Sequence, residues 1–192
     1  MKIGVLALQG DFAEHIVMLK HLGVDTTEVR LPEHLKGLDG LIIPGGESTT
    51  IGKLANDYGL MEPLRTFGGR HAIWGTCAGA IFLSKDASRN QPVLNLMDIK
   101  VERNAFGRQV DSFEEDLVVP ELKQATGSQR PYHAVFIRAP IIESVAGDTE
   151  ILASTGDGKI VAAKQGHLLA TSFHPELTPD SRFHEYFLSL AD

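Results

Sequence analysis

Cysteine is the scarcest chemistry in this chain. Of 192 residues only Cys77 carries a thiol, so no internal disulfide can form. That excludes a disulfide-stabilised secreted module and fits the reducing cytoplasm. Positive charge is also short. Eighteen Lys and Arg face 25 Asp and Glu, a net charge of -7, which argues against a strongly basic nucleic-acid binder or an anionic-membrane binder. Long apolar runs are missing too. The longest low-charge stretch, His71–Ser84, falls short of the ~20 residues a membrane span needs. The N-terminal run Ile3–Leu8 is too short for a signal-peptide core and reads as a first buried strand. No repeat, low-complexity tract or linker divides the chain, so residues 1–192 are expected to form one domain. With one cysteine and no closely spaced set of three His or carboxylate ligands, no metal site is expected.

Short apolar runs ending in glycine-rich loops alternate with helical patterns. Ile3–Leu8, Thr26–Arg30, Leu38–Ile43 and Ala72–Trp74 read as strands. Phe12–Leu22 spaces Phe12, Ile16, Leu19 and Leu22 as one helical face; Thr49–Tyr58 and a segment ending at Leu83 also read as helices. Continuous apolar strands followed by helices predict a mostly parallel sheet covered on both faces, a three-layer α/β sandwich. The second half is richer in strands. Ile99–Arg103, Leu117–Val119, Val135–Arg138, Glu150–Ser154, Ile160–Lys164 and Leu168–Phe173 fit that pattern, and Arg182–Leu190 closes the chain as a helix.

Cys77 lies in Gly75-Thr76-Cys77-Ala78-Gly79, a G-x-S-x-G pattern with sulfur in place of oxygen. Such a strand-to-helix turn strains the nucleophile's backbone, and its glycines keep side chains away. A helix N-terminus also favours thiolate. The pentapeptide alone serves a nucleophile or a small buried hydrophobe equally well.

A thiol nucleophile needs a base, normally a histidine held by a third group. His174 ends a strand in Ser172-Phe173-His174-Pro175-Glu176. In an extended segment stiffened by Pro175, Glu176 projects to the same side as His174 and can orient its imidazole. Read alone, the same tripeptide also suits a surface loop. His15, His21 and His184 fall on patterned helices, which assigns them to solvated faces. His34, His71, His133 and His167 fall in loops or at strand edges.

Pro44-Gly45-Gly46-Glu47-Ser48-Thr49-Thr50 follows a buried strand. Its glycines let backbone amides approach a ligand. One of them, with the amide of Ala78, would form an oxyanion hole. The same loop suits a helix-starting turn with Ser48 near the cap. It is not a nucleotide loop: five residues separate Gly46 from Gly52, and Leu54 stands where Ser or Thr is required after Lys53. Arg103 and Arg138 offer guanidinium groups for a substrate carboxylate or for surface ion pairs.

Taken in order, the motifs around Gly46, Cys77 and His174 resemble the class I (triad) glutamine amidotransferases. Further segments narrow the resemblance: Leu8-Gln9-Gly10, Glu14-His15, Val101-Glu102-Arg103-Asn104, Phe106-Gly107-Arg108-Gln109, Asp111-Ser112-Phe113, Val135–Pro140 and Ala162–Gly166. Across nearly the whole chain these resemble the glutaminase subunits of two-component pyridoxal 5'-phosphate synthases. Ala80 and the segments Asp86–Asp98 and Gln124–Tyr132 depart from the pattern.

The resemblance implies a flavodoxin-like three-layer fold and hydrolysis of L-glutamine to glutamate and ammonia. It implies a Cys77, His174, Glu176 triad and an oxyanion hole at Gly46 and Ala78. Glutamine contacts would come from Gly46, Glu47, Ser48, Arg103, Ile137 and Arg138. It implies a synthase subunit as partner in a hetero-oligomeric complex, contacted through Gln9 and Gly10, whose docking completes the oxyanion hole. No cofactor on this chain, no nucleic acid and no membrane are expected. A glutaminase of another biosynthetic complex, a stand-alone cysteine hydrolase and a non-catalytic subunit remain the competing readings.

Overall fold

The computed structural model describes residues 1–88, 90–103 and 112–192. The expected motif segment from Asn104 to Gln109, and Asp111, therefore lie outside the described residues. In chain order, β1 (Lys2–Leu6), α1 (Phe12–His21), β2 (Asp25–Val29), β3 (Gly40–Ile43), α2 (Ser48–Asp57), α3 (Met61–Gly68), β4 (Ala72–Thr76) and α4 (Ala78–Leu83) make the first half. The second half adds β5 (Ser84–Asp86), β6 (Met97–Glu102), β7 (Ser112–Leu117), α5 (Pro120–Thr126), β8 (Tyr132–Ile137), β9 (Ile141–Val145), β10 (Glu150–Ser154), β11 (Ile160–Gln165), β12 (Leu168–Thr171) and α6 (Arg182–Ala191).

The main sheet runs β2-β1-β3-β4-β12-β11-β9-β6-β5, with β10 paired to β11. From β2 to β12 every pairing is parallel. Beyond β12 the strands β11, β9 and β6 pair antiparallel, and β7 with β8 forms a separate ribbon. The parallel block has the flavodoxin-type order, in which ligands bind at the carboxyl ends of strands where the order reverses. Here that edge carries the loops after β1, β3, β4 and β12.

Alternation along the buried strands builds two cores. Leu41, Ile43, Ile73 and Ala170 face one side, where they meet Ile51 of α2, Leu64 of α3 and Phe82 of α4. Ile42, Trp74 and Leu169 face the other, with Leu19 of α1, Leu122 of α5 and Phe183 and Phe187 of α6. Parallel strands buried on both faces require this continuous apolar composition. Hence the three-layer α/β sandwich expected from the sequence. Among the described residues, no helix is long and apolar enough to cross a membrane.

Some expected elements shift. The strand expected over Leu117–Val119 instead ends at Leu117, and Val118 is 75% exposed. Helices α3 and α5 were not legible from apolar spacing because they are only 8 and 7 residues long. For α5 a cue existed: Pro120 opens it and Gly127 closes it in the left-handed conformation, the usual asymmetry of helix ends. Ser48 opens α2, next to the cap, as expected. Glu47, not Ser48, accepts hydrogen bonds from the amides of Thr49 and Thr50.

Candidate active site

Between β4 and α4 the chain turns within one residue. Cys77 occupies it with φ 47°, a left-handed conformation that costs a non-glycine residue roughly 1–2 kcal/mol. The turn is held from below by the Cys77 amide donating to the Thr171 carbonyl at 2.8 Å. Both flanking glycines are dictated by space. A Cβ on Gly75 would sit 2.5 Å from the Gly79 backbone, and one on Gly79 would sit 2.0 Å from the Ile43 carbonyl oxygen. The strained conformation and the bare flanks together leave the thiol lining a cleft of about 470 Å³.

His174 follows β12 and reaches the same cleft. Its amide donates to Val135 at 2.8 Å, and its Nδ1 lies 2.7 Å from Oε1 of Glu176. The local backbone differs from the extended segment expected. Pro175 opens a one-turn 3-10 helix over Pro175–Leu177, with its missing N–H harmlessly placed at the first position. That turn, rather than strand alternation, folds Glu176 beneath the imidazole. Burial opposes charging of His174. The hydrogen bonds with Cys77 and Glu176 outweigh it and push the pKa up to about 10. Burial also raises the Glu176 pKa, against the pull of His174. Both shifts point the same way, so the dyad holds its proton more tightly than either group does in water.

A third carboxylate stands nearby. Asp11 Oδ2 is 3.6 Å from His174 Nδ1. Asp11, His174 and Glu176 are the cluster among the described residues whose ligand atoms lie within 4.8 Å of one another. Nδ1 is already bonded to Glu176, so a cation there would displace the hydrogen bond that orients the ring.

Two histidines are misassigned by the sequence reading. His15 and His184 are not on solvated faces; both are 0% exposed. His15 Nδ1 lies 3.0 Å from His184 Nε2, and its Nε2 lies 3.3 Å from Oε2 of Glu176. The reason is position. His15 follows Phe12 by three residues and precedes Leu19 by four, which places it in the buried stripe of α1. Burial, then the fields of His184 and His174, hold the His15 pKa well below normal; burial lowers His184 to about 3. His21, as expected, is exposed.

Around the cleft the loop after β1 closes on the loop after β3. The Asp11 amide donates to the Gly45 carbonyl at 3.1 Å, and the Glu47 amide donates to Oε1 of Gln9 at 2.7 Å. Because peptides are trans, the first bond fixes the Gly46 N–H on the side away from Asp11. Gly10, at φ 99°, is obligatory: a Cβ there would meet the Gly45 oxygen at 1.8 Å. Gln9, Gly10, Gly46, Glu47, Ser48, Ala78, Arg103, Ile137 and Arg138 all line the cleft with Cys77 and His174, including Gln9 and Gly10, which the sequence assigns to a partner contact; Glu176 lies behind His174 and is not part of this lining.

The two arginines separate. Arg103 is spent internally, donating to Glu47 at 2.7 Å, Thr49 at 3.1 Å and Gln91 at 3.2 Å. Burial raises the Glu47 pKa, but the Thr50 amide, Arg103, the Thr50 hydroxyl and the Thr49 amide together lower it to about 2, so the carboxylate stays charged. Arg138 makes no hydrogen bond or ion pair with another described residue and sits at φ 43°, a strained presentation of a cation into the cleft.

Comparison with known proteins agrees with this geometry. A model of the SNO glutamine amidotransferase family matches residues 5–191. The pyridoxal 5'-phosphate synthase subunit PdxT of Herpetosiphon aurantiacus is 59% identical, across 99% of this chain and 100% of that protein. The protein of the same name from Moorella thermoacetica is 55% identical, across 99% of each. A crystal structure described as a glutamine amidotransferase superposes with a TM-score of 0.90 at 54% identity, covering 98% of both chains. PurLQS from Thermotoga maritima shares the fold alone, with a TM-score of 0.75 at 14% identity over 100% of this chain and 98% of that one.

Proposed function

The chain belongs to the SNO glutamine amidotransferase family, and from that premise we propose how its residues divide the work of a pyridoxal 5'-phosphate synthase glutaminase subunit. The reaction is hydrolysis of L-glutamine to L-glutamate and ammonia, the ammonia passing to a synthase partner. Cys77 is the nucleophile. His174 takes its proton, and the thiolate attacks the side-chain amide carbon of glutamine. The amides of Ala78 and Gly46 hold the oxyanion. Collapse of the tetrahedral intermediate returns the proton through His174 to the departing ammonia and leaves a γ-glutamyl thioester. Water, deprotonated by His174, then releases glutamate. Glu176 orients His174 and stabilises its cation.

The observation that carries this reading is the meeting of Cys77 and His174 at one cleft, with His174 Nδ1 2.7 Å from Glu176. Charge complementarity supports the substrate: Arg138 suits the α-carboxylate, and Glu47, although held by Arg103, Thr49 and Thr50, keeps a negative charge at the cleft for the α-ammonium. Ile137 and Ser48 complete the wall, and Arg103 contributes by holding Glu47. The whole chain then acts as a single glutaminase domain. The nucleophile must remain a thiol, which suits a reducing cytoplasm. The steps require no cofactor on this chain. The partner is a PdxS-like synthase subunit in a hetero-oligomeric complex, docking at the Gln9-Gly10 loop. That loop grips both the Gly45 carbonyl and the Glu47 amide, so a partner pressing on it adjusts the oxyanion hole directly.

Arg138→Ala should raise KM for glutamine roughly 10- to 100-fold with kcat little changed, because a charge-assisted hydrogen bond to an unreacting group is lost. Steady-state kinetics check this; an unchanged KM removes Arg138 from the carboxylate site. The overall function is tested by glutamate release from L-glutamine with and without the synthase subunit. Strong stimulation is expected. Activity indifferent to the partner would point to a free-standing hydrolase, and activity in neither case to a vestigial site.

A further inference from the structure

Behind the three residues assigned to the chemistry lies a polar chain that the reaction as written does not use. Glu176 has two carboxylate oxygens. Oε1 is bonded to His174, whereas Oε2 is buried and makes no aligned hydrogen bond with the described residues. What faces it is Nε2 of His15, 3.3 Å away, with both side chains fully buried. The same nitrogen makes its aligned hydrogen bond with the Thr76 hydroxyl, also at 3.3 Å, so the Glu176 oxygen lies beside that bond rather than along it. On the far side, His15 Nδ1 meets His184 Nε2 at 3.0 Å, and His184 Nδ1 has no partner among the described residues. Trp74 packs edge-on against both imidazoles, with ring centroids 5.8 Å and 4.9 Å away.

Burial favours the neutral form of both histidines, in which each carries one N–H, and the contacts select which. If His15 carried its proton on Nδ1, its Nε2 lone pair would face the Glu176 carboxylate. His184 would then carry a buried Nδ1–H with no acceptor. The opposite assignment sends His184 Nε2–H to His15 Nδ1 and His15 Nε2–H toward Glu176, leaving only a bare acceptor nitrogen unpaired. Buried donors without acceptors are the rarer fault, and a donor toward a carboxylate is the stronger bond.

We propose that His15 is a positioning residue of the glutaminase reaction: its Nε2–H holds Glu176, and through Glu176 the ring of His174, while His184 fixes the His15 tautomer. This rests on the reading of Cys77, His174 and Glu176 as the reacting set. Glu176 would otherwise be a buried carboxylate anchored by one oxygen, free to rotate away or to take up a proton. Apo hydrogen bonds of catalytic groups are commonly long or poorly aligned and tighten when substrate is bound, and a 3.3 Å contact that is off the N–H axis requires such a tightening, a small turn of the His15 ring from Thr76 toward Glu176.

The test compares His15→Leu with His15→Gln in complex with the synthase subunit. Glutamine keeps an N–H for Glu176 and an acceptor for His184; leucine keeps neither. His15→Leu should lower kcat roughly 10- to 100-fold with KM little changed. It should also move the basic limb of kcat/KM to lower pH, because a less firmly ionised Glu176 stabilises the His174 cation less. The other titratable groups facing this dyad, Cys77 and Asp11 around His174 and Tyr132 near Glu176, are untouched by the substitution. His15→Gln should restore most of the rate and the original limb. Independently, nitrogen-15 spectra of the histidine-labelled free chain should show His15 protonated at Nε2. This readout needs no turnover, so it separates failure here from failure of the glutaminase reading. An Nδ1–H tautomer, a Leu variant with wild-type kcat and pH profile, or equal losses in the Leu and Gln variants would overturn the proposal. Should the Leu variant not fold, the Gln variant and the tautomer still decide.

Discussion

Cys77→Ala should release no measurable glutamate while keeping its fold and its affinity for the synthase subunit. The expected loss is on the order of 10⁶ in kcat, the scale seen when a covalent nucleophile is deleted from an intact site. The fold should tolerate it, because Ala at φ 47° is no more strained than Cys and the elbow's hydrogen bond from residue 77 to Thr171 is made by the backbone. The substitution removes a single sulfur atom from a side chain that lines the cleft, so the cavity penalty is small. Cys77→Ser should be nearly as inactive, since a hydroxyl is far less acidic than a thiol and a weaker nucleophile. Glutamate assays, circular dichroism and a binding titration with the partner check the three parts. Glutaminase activity in Cys77→Ala above the uncatalysed rate would contradict the nucleophile assignment.

Gly79→Ala should cost roughly 100-fold in kcat/KM although residue 79 touches no substrate. The added Cβ would lie 2.0 Å from the Ile43 carbonyl oxygen, in the last residue of a central strand that cannot retreat. Helix α4 must move instead, by about an ångström, and it carries the Ala78 amide and the Cys77 elbow with it. A misplacement of ~1 Å is worth about 10² in rate. Overpacking of a close backbone contact costs ~1–3 kcal/mol, or roughly 3–10 °C in Tm for a chain of this size. Thermal melts and kinetics together check this. A variant with wild-type Tm and rate would mean the elbow is looser than its contacts imply.

Much of this architecture was legible because parallel strands covered on both faces must be continuously apolar, and β1, β3, β4 and β12 are. Cys77 and the glycines around it were legible because a strand-to-helix elbow tolerates little else. The helix expected over Phe12–Leu22 was found, but its buried face was misjudged. Counting only apolar residues makes His15 a polar interruption, whereas its spacing from Phe12 and Leu19 already put it in the stripe. His184, beside Phe183 and three residues before Phe187, repeats the lesson on α6. A histidine inside an apolar stripe is a candidate for a buried polar network, and no local pattern reveals that its partner lies 169 residues away. The pairing of Arg103 with Glu47 was illegible for the same reason: it joins residues 56 apart across two loops. So was the 3-10 turn that brings Glu176 under His174. His-Pro-Glu is compatible with an extended strand end or a tight turn, and tertiary contacts choose between them.

The most direct measurement is the intact mass of the chain after incubation with a glutamine analogue carrying an electrophile at the side-chain carbonyl position. Cys77 is the one thiol in the molecule, and peptide mapping of the labelled chain locates the adduct. The account predicts a single adduct on Cys77, slowed by free L-glutamine, absent in Cys77→Ala and strongly retarded in His174→Asn. An adduct elsewhere, or labelling of Cys77 indifferent to glutamine and to His174, would contradict it.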